Sequence, residues 1–219
     1  KSCVIKAATD LPTGTGTATG VDNFEIRSGL ETVCTFGNTK KQAGVTVQKV
    51  GVDGKAGDTA QLSISRPGLN GGAISTAPDA PSAANSATIS VLAGQTVNLS
   101  ENLGSAGSNY DTTLACPGAS NSVVPGPDNR SGTLLISATD AQAAITCTFT
   151  NTRKGANLTV NKVWQNAKTG DAVSITTTAA ANNVNFAAVA NAANETDTTP
   201  APYKVFAGET LTFAETFTN

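Results

Sequence analysis

Short runs of alternating apolar and polar residues are the dominant pattern of this chain. Val45, Val47 and Lys49 fall on one side of such a run over residues 45–50, with Thr46 and Gln48 on the other. The alternation returns over residues 62–64, 87–91, 97–103, 110–116, 133–137 and 144–149. Turn signals separate several of the runs, as at Asp53-Gly54, Gly57-Asp58 and Ala93-Gly94. Residues 67–81 and 117–130 read as loops, the first with Gly71-Gly72 set between prolines. Some seven or eight short strands in about 110 residues, with no helical period longer than about two turns, predict a β-sandwich. Residues 1–39 add strands at 3–5, 24–27 and 31–36, the last two joined at Ser28-Gly29. The Gly- and Thr-rich stretch 13–20 lacks the Lys-Ser/Thr of a phosphate loop and reads as a flexible connection.

The pattern occurs more than once. Cys147-Thr-Phe-Thr-Asn151-Thr-Arg-Lys leads into Leu158-Thr-Val-Asn-Lys162-Val163. A near copy, Cys34-Thr-Phe-Gly-Asn38-Thr-Lys-Lys, leads into Val45-Thr-Val-Gln-Lys49-Val50. Lys49 and Lys162 are 113 residues apart, as are Gly57-Asp58 and Gly170-Asp171. Glu101 and Glu215 are 114 apart, and Val91-Leu-Ala-Gly-Gln-Thr-Val recurs as Val205-Phe-Ala-Gly-Glu-Thr-Leu. The repeats divide the chain into the second half of a domain (1–43), a complete domain (44–152) and the first half of another (153–219). The chain thus opens in mid-domain, as expected for a mature or excised piece of a longer precursor.

Four cysteines refine this reading. Cys3 and Cys34 are 31 residues apart, and so are Cys116 and Cys147. Equal spacing in two copies predicts two equivalent disulfides, each tying a domain's last strand to an earlier one. The chain has no His and no Cys-x-x-Cys, so a metal site lacks clustered ligands and no cofactor is expected. Disulfides imply an oxidising compartment, and in the chain-entropy model each contributes roughly 3–4 kcal/mol. That contribution matters where only 5% of residues are aromatic. A net charge of -2 gives no reason to expect nucleic acid. No apolar run reaches the roughly 18 residues of a membrane span, so no membrane insertion is expected. Without His, a Ser-His-Asp or Cys-His enzyme is excluded.

The candidate chemistry lies where polar residues interrupt apolar faces. Lys49 follows Val45 and Val47; Glu101 follows Val97 and Leu99; Asn151 follows Cys147 and Phe149. An unpaired buried charge is costly, so such groups must pair or become neutral. A neutral Lys amine is a nucleophile, and a protonated Glu beside it can polarise the Asn carbonyl and carry protons while ammonia leaves. The product is an amide between first and last strands. The same three residue types recur as Lys162, Glu215 and Asn38. The competing reading is a buried or edge Lys–Glu pair with Asn as a strand-end cap. Tyr110 and Trp164 read as core or joint packing rather than the rim of a carbohydrate site.

These residues resemble the prealbumin-like domains of bacterial surface proteins, the SpaA-like and collagen-adhesin B-type repeats of pilins and adhesins. Strand-initial Lys, middle-strand Glu and terminal-strand Asn carry the likeness, together with the Cys-Thr-Phe-Thr-Asn-Thr-Arg ending. The resemblance implies tandem immunoglobulin-like sandwiches in a stalk or fibre. It also implies isopeptide positions at Lys49, Glu101 and Asn151. The half-domains read either as a window on one longer chain of repeats or as halves that complete each other between copies, residues 1–39 of one joining residues 153–219 of another head to tail; further copies of the chain are the expected partners. The rival function is an adhesive module whose loops at 66–86 and 117–131 recognise glycan or host protein.

Overall fold

The computed structural model describes residues 1–6, 11–12, 15–16, 21–23, 26–70, 74–76, 84–85, 88–178 and 183–218. Most of the connection expected over 13–20, residues 24–25 of one expected strand, residue 87 of another and much of the loop at 66–86 lie outside them. Ile26 and Arg27, the described part of the strand expected at 24–27, are not in a strand. The chain divides into two units, Lys1–Lys41 and Gln42–Asn219.

In the first unit, β1 (Ser2–Lys6) and β2 (Glu31–Thr35) pair antiparallel with Cys3 opposite Cys34. Their sulfurs are bonded. Phe36 and Asn38, just beyond β2, are exposed.

The second unit opens with a complete two-sheet sandwich. One sheet contains β3 (Gln42–Val52), β5 (Ile89–Leu92), β7 (Tyr110–Ala115) and β9 (Ala144–Arg153). The other contains β4 (Ala60–Arg66), β6 (Thr96–Asn102) and β8 (Ser131–Leu135). Alternation places one face of each strand inward, so Val45, Val47, Leu62, Ile64, Val97 and Leu99 share a core with Leu134, Ile145 and Phe149. The decisive pairing is β9 beside β3. The last strand runs parallel to the first, with Phe149 opposite Lys49 and Asn151 opposite Gly51. The Cys116–Cys147 disulfide ties β9 to the chain leaving β7.

The stretch expected to loop over 67–81 instead adds short strands, Leu69–Asn70 and Ile74–Thr76, to the edge of β4. Pro67 and Gly68 make a turn here, with Gly68 at a positive φ of 78°, and do not end the pairing.

The rest of the unit repeats the start of the sandwich. It contains β10 (Gly155–Leu158), β11 (Asn161–Trp164), β12 (Ala172–Thr178), β13 (Asn185–Val189), β14 (Glu195–Thr198), β15 (Tyr203–Phe206) and β16 (Thr212–Phe217). Even the register is kept. Glu101 lies opposite Leu62 in the complete sandwich, and Glu215 opposite Ile175 here. Ile89 lies opposite Val45, and Tyr203 opposite Leu158. Its small core gathers Trp164, Val173, Ile175, Phe186 and Ala188. In the first unit, Ser2 opposite Thr35 reproduces Ala115 opposite Thr148.

Inward alternation continues through Asn151 to Arg153, whose guanidinium is buried against the turn after β15. Arg153 Nε and Nη2 both donate to the Ala207 carbonyl, at 2.9 and 2.6 Å, and Nη1 lies 3.4 Å from Glu209 Oε1. Lys55 Nζ donates to the Gly208 carbonyl at 2.8 Å, and Lys204 pairs with Asp53 at 3.0 Å. Gly208 has a positive φ of 75°, and a Cβ there would stand 2.6 Å from Asn109 Nδ2. The positive φ is the feature that favours glycine at this turn, since the Asn109 side chain could move aside.

Candidate cross-link site

Lys49 on β3, Glu101 on β6 and Asn151 on β9 each occupy an inward position, and all three are buried, at 4%, 6% and 1% exposure. Lys49 and Asn151 sit on adjacent parallel strands, on the same face, two residues apart in register. Glu101 belongs to the opposite sheet and reaches across. Its Oε1 accepts a hydrogen bond from Asn151 Nδ2 at 2.7 Å. Its Oε2 is buried and has no hydrogen-bond partner among the described residues. An anion with one such oxygen would be poorly solvated. Burial accordingly pushes the Glu101 carboxyl above its ordinary range, against the hydrogen bond from Asn151 and the positive charges of Lys49 and Arg130.

The Asn151 amide is held from both ends. Thr112 Oγ1 donates to Asn151 Oδ1 at 2.7 Å, from a position directly opposite Asn151 in the β7–β9 ladder. Arg130 Nε lies 3.5 Å behind that hydroxyl and donates to it. The sequence expectation had Glu101 polarising the Asn carbonyl. The structure instead turns the amide nitrogen toward Glu101 and gives the carbonyl oxygen to Thr112. Sequence reasoning missed Thr112 and Arg130, because a Thr on a strand of a Thr-rich chain carries no signal until its cross-strand neighbour is known.

The second set is divided. Lys162 Nζ and Glu215 Oε1 form an ion pair at 2.7 Å, with side chains 16% and 41% exposed. Lys162 Nζ also lies 4.6 Å from the Trp164 ring centre and 5.8 Å from that of Phe217. Asn38 belongs to the other unit. Both cysteine pairs are disulfides, and among the described residues no cluster of His, Cys, Asp or Glu is arranged to hold a metal. Nor is any helix among the described residues long and apolar enough to cross a membrane. Tyr110 and Trp164 are buried, and each gives its polar atom to a carboxylate: Tyr110 to Asp58 at 2.6 Å, Trp164 Nε1 to Asp197 at 2.9 Å.

A two-sheet sandwich whose last strand runs parallel to its first, stapled by a disulfide, defines an all-β domain of the prealbumin type. Residues 45–153 match the model of a prealbumin-like fold domain, and this segment of the chain belongs to that family. Two solved structures are similar at low identity. A bacterial adhesin from Mobiluncus mulieris, containing intramolecular disulfide, isopeptide and ester bond cross-links, is 14% identical with a TM-score of 0.40, over 67% of this chain and 52% of its own. A streptococcal ancillary pilin is 10% identical with a TM-score of 0.29, over 77% of this chain and 59% of its own. The chain thus spans only about half to three fifths of these structures. No curated protein sequence matches the chain.

Proposed function

We propose that this chain is a load-bearing repeat of an extracellular bacterial fibre, matrix filament or adhesin stalk, strengthened by an amide between Lys49 and Asn151. The buried Glu101–Asn151 hydrogen bond beside Lys49 is the observation that carries this reading. Lys49, as the neutral amine, attacks Asn151 Cγ while Oδ1 takes up negative charge. Glu101, as the protonated acid, delivers its proton to Nδ2 and takes one back from the attacking nitrogen. The Cγ–Nδ2 bond breaks, ammonia leaves, and Glu101 ends in the protonation state in which it began. The reaction happens once per repeat, so the product is mechanical continuity between first and last strands rather than enzymatic turnover. Disulfides and the family of residues 45–153 support an extracellular setting at the cell surface.

The flanking segments are halves of the same repeat, and each is completed by a neighbour. Residues 1–39 of one copy add to residues 153–219 of another, giving a head-to-tail array that does not close. Phe36 then takes the place that Phe149 fills in the complete repeat, and Asn38 meets Lys162 and Glu215. Intact-mass measurement tests the central claim. The full chain should weigh about 17 Da less than its disulfide-bonded sequence, the mass of one ammonia lost to Lys49 amide formation. Lys49→Ala and Glu101→Ala should each abolish that loss. A full sequence mass, corrected only for disulfides, would leave the competing reading of a buried Lys–Glu pair standing and end the amide reading.

A further inference from the structure

We infer that Thr112 supplies the hydroxyl that stabilises the developing oxyanion on Asn151 and fixes which way the Asn151 amide faces. The inference rests on the amide reading above. Three observations carry it. Thr112 is buried, and its Oγ1 donates to Asn151 Oδ1 at 2.7 Å, the atom that gains charge when Lys49 attacks. Thr112 and Asn151 are direct cross-strand partners, so the ladder itself sets the donor's position before reaction. The hydroxyl is in turn served by Arg130 Nε at 3.5 Å, which leaves its single proton for Asn151.

Arg130 is anchored by its own backbone contacts, its Nη2 donating to the carbonyls of Gly107 and Tyr110. Asn129 Nδ2 also donates to the Thr112 carbonyl at 3.0 Å. The donor is therefore preorganised rather than recruited. A donor aimed at developing charge inside a water-poor site is worth more than the same group in solvent. The contact has a second consequence. With Oδ1 held by Thr112, the nitrogen that must leave as ammonia is turned toward Glu101, the group that protonates it. Without the hydroxyl, the amide can reverse and present its oxygen to the carboxyl.

The test follows the rate of the ammonia loss in the full chain, made by cell-free synthesis with oxidised glutathione and sampled over time by intact mass. Thr112→Val keeps the shape and removes the donor, and should slow the loss by about 10²–10³-fold. Thr112→Ser restores the donor and should react within a few-fold of the wild type. Thr112→Ala serves in place of Thr112→Val should the valine variant fail to form its disulfides. Wild-type rates in a folded Val or Ala variant would overturn the role of Thr112 while leaving the amide reading intact. Absence of any ammonia loss from the wild type would instead overturn the amide reading, and this inference with it.

Discussion

The complete sandwich and the half that follows it carry the same Lys and Glu in the same strand register, yet hold them in different states. In the complete repeat Lys49 and Glu101 are buried, and the carboxyl is bonded to Asn151. In the half repeat Lys162 and Glu215 face each other directly at 2.7 Å, with Glu215 well exposed. The difference is β9 and the strands that accompany it. Adding the last strand removes water, brings Asn151 between the sheets and raises the cost of a charged Glu101. Where no such strand is present, the Lys162–Glu215 pair is a partly solvated ion pair, worth little. Under the proposed amide chemistry, burial by the final strand would arm the site only once the fold is complete.

The largest test of this contrast removes the proposed cross-link from the complete repeat. An amide from Lys49 to Asn151 closes a loop of about 100 residues, for which the chain-entropy model gives about 4–5 kcal/mol. Lys49→Ala should lower the denaturant midpoint of the complete repeat by a corresponding amount, while the transition of the half repeat stays where it was. Equal losses in both transitions would contradict the idea that only the buried set reacts.

Next in size is the clamp between the two regions. Arg153 and Glu209 are both buried, and Arg153 also holds the Ala207 carbonyl. Arg153→Ala leaves the Glu209 carboxylate buried with its bond from the Phe206 N–H as partial compensation. Breaking a buried pair in this way costs about 3 kcal/mol. The half repeat, which docks through this turn, should unfold at lower denaturant and become a target for limited proteolysis near residue 207. An unchanged digestion pattern would mean that the clamp does not hold the half repeat.

A smaller effect is expected from pH in the uncross-linked Lys49→Ala chain. Glu101 has a folded pKa raised from its ordinary 4.5 by burial, so the folded state binds more protons than the unfolded one above that value. Its stabilising contribution is full below about pH 4.5 and disappears as pH rises through the folded value. Asp140 opposes it at the acid end. Burial alone would raise its carboxyl, but hydrogen bonds from Ser120 and Ser137 outweigh burial and hold it below its ordinary 3.8. Asp140's contribution is present above that value and is lost as pH falls through its folded value. Melting temperatures should therefore decline from pH 5 toward neutrality through Glu101, and Glu101→Gln should flatten that decline.

How much of this was legible beforehand follows from what periodicity can encode. Inward positions were readable, because a Lys after Val45 and Val47 or a Glu after Val97 and Leu99 breaks an apolar face in a way alternation makes visible. The disulfides were readable from equal spacing, and the repeat from its offsets. Cross-strand facts were not. Nothing in the local pattern says that β9 lies parallel to β3, that Thr112 stands opposite Asn151, or that Arg153 is covered by a turn more than fifty residues later. Leu69–Asn70 and Ile74–Thr76 were hidden for another reason. Short edge strands between prolines and glycines have too few residues to show a period.

The smallest expected effect is also the one that sharpens the comparison most. Lys162→Ala removes one side of an exposed ion pair and should change the stability of the isolated chain by at most about 1 kcal/mol. In assembled material the same substitution acts on a different state. Under the proposed assembly, the segment carrying Phe36 and Asn38 from another copy would cover this face, burying Lys162 and Glu215 as Lys49 and Glu101 are and letting the same amide form between copies. Boiling assembled material in detergent and reductant should leave a ladder of multimers from the wild type and single chains from Lys162→Ala. Lys49→Ala should leave that ladder intact, because the amide proposed for Lys49 lies within one repeat. A wild-type ladder that dissolves completely, with the internal amide still present, would mean that neighbouring copies are joined without a covalent bond.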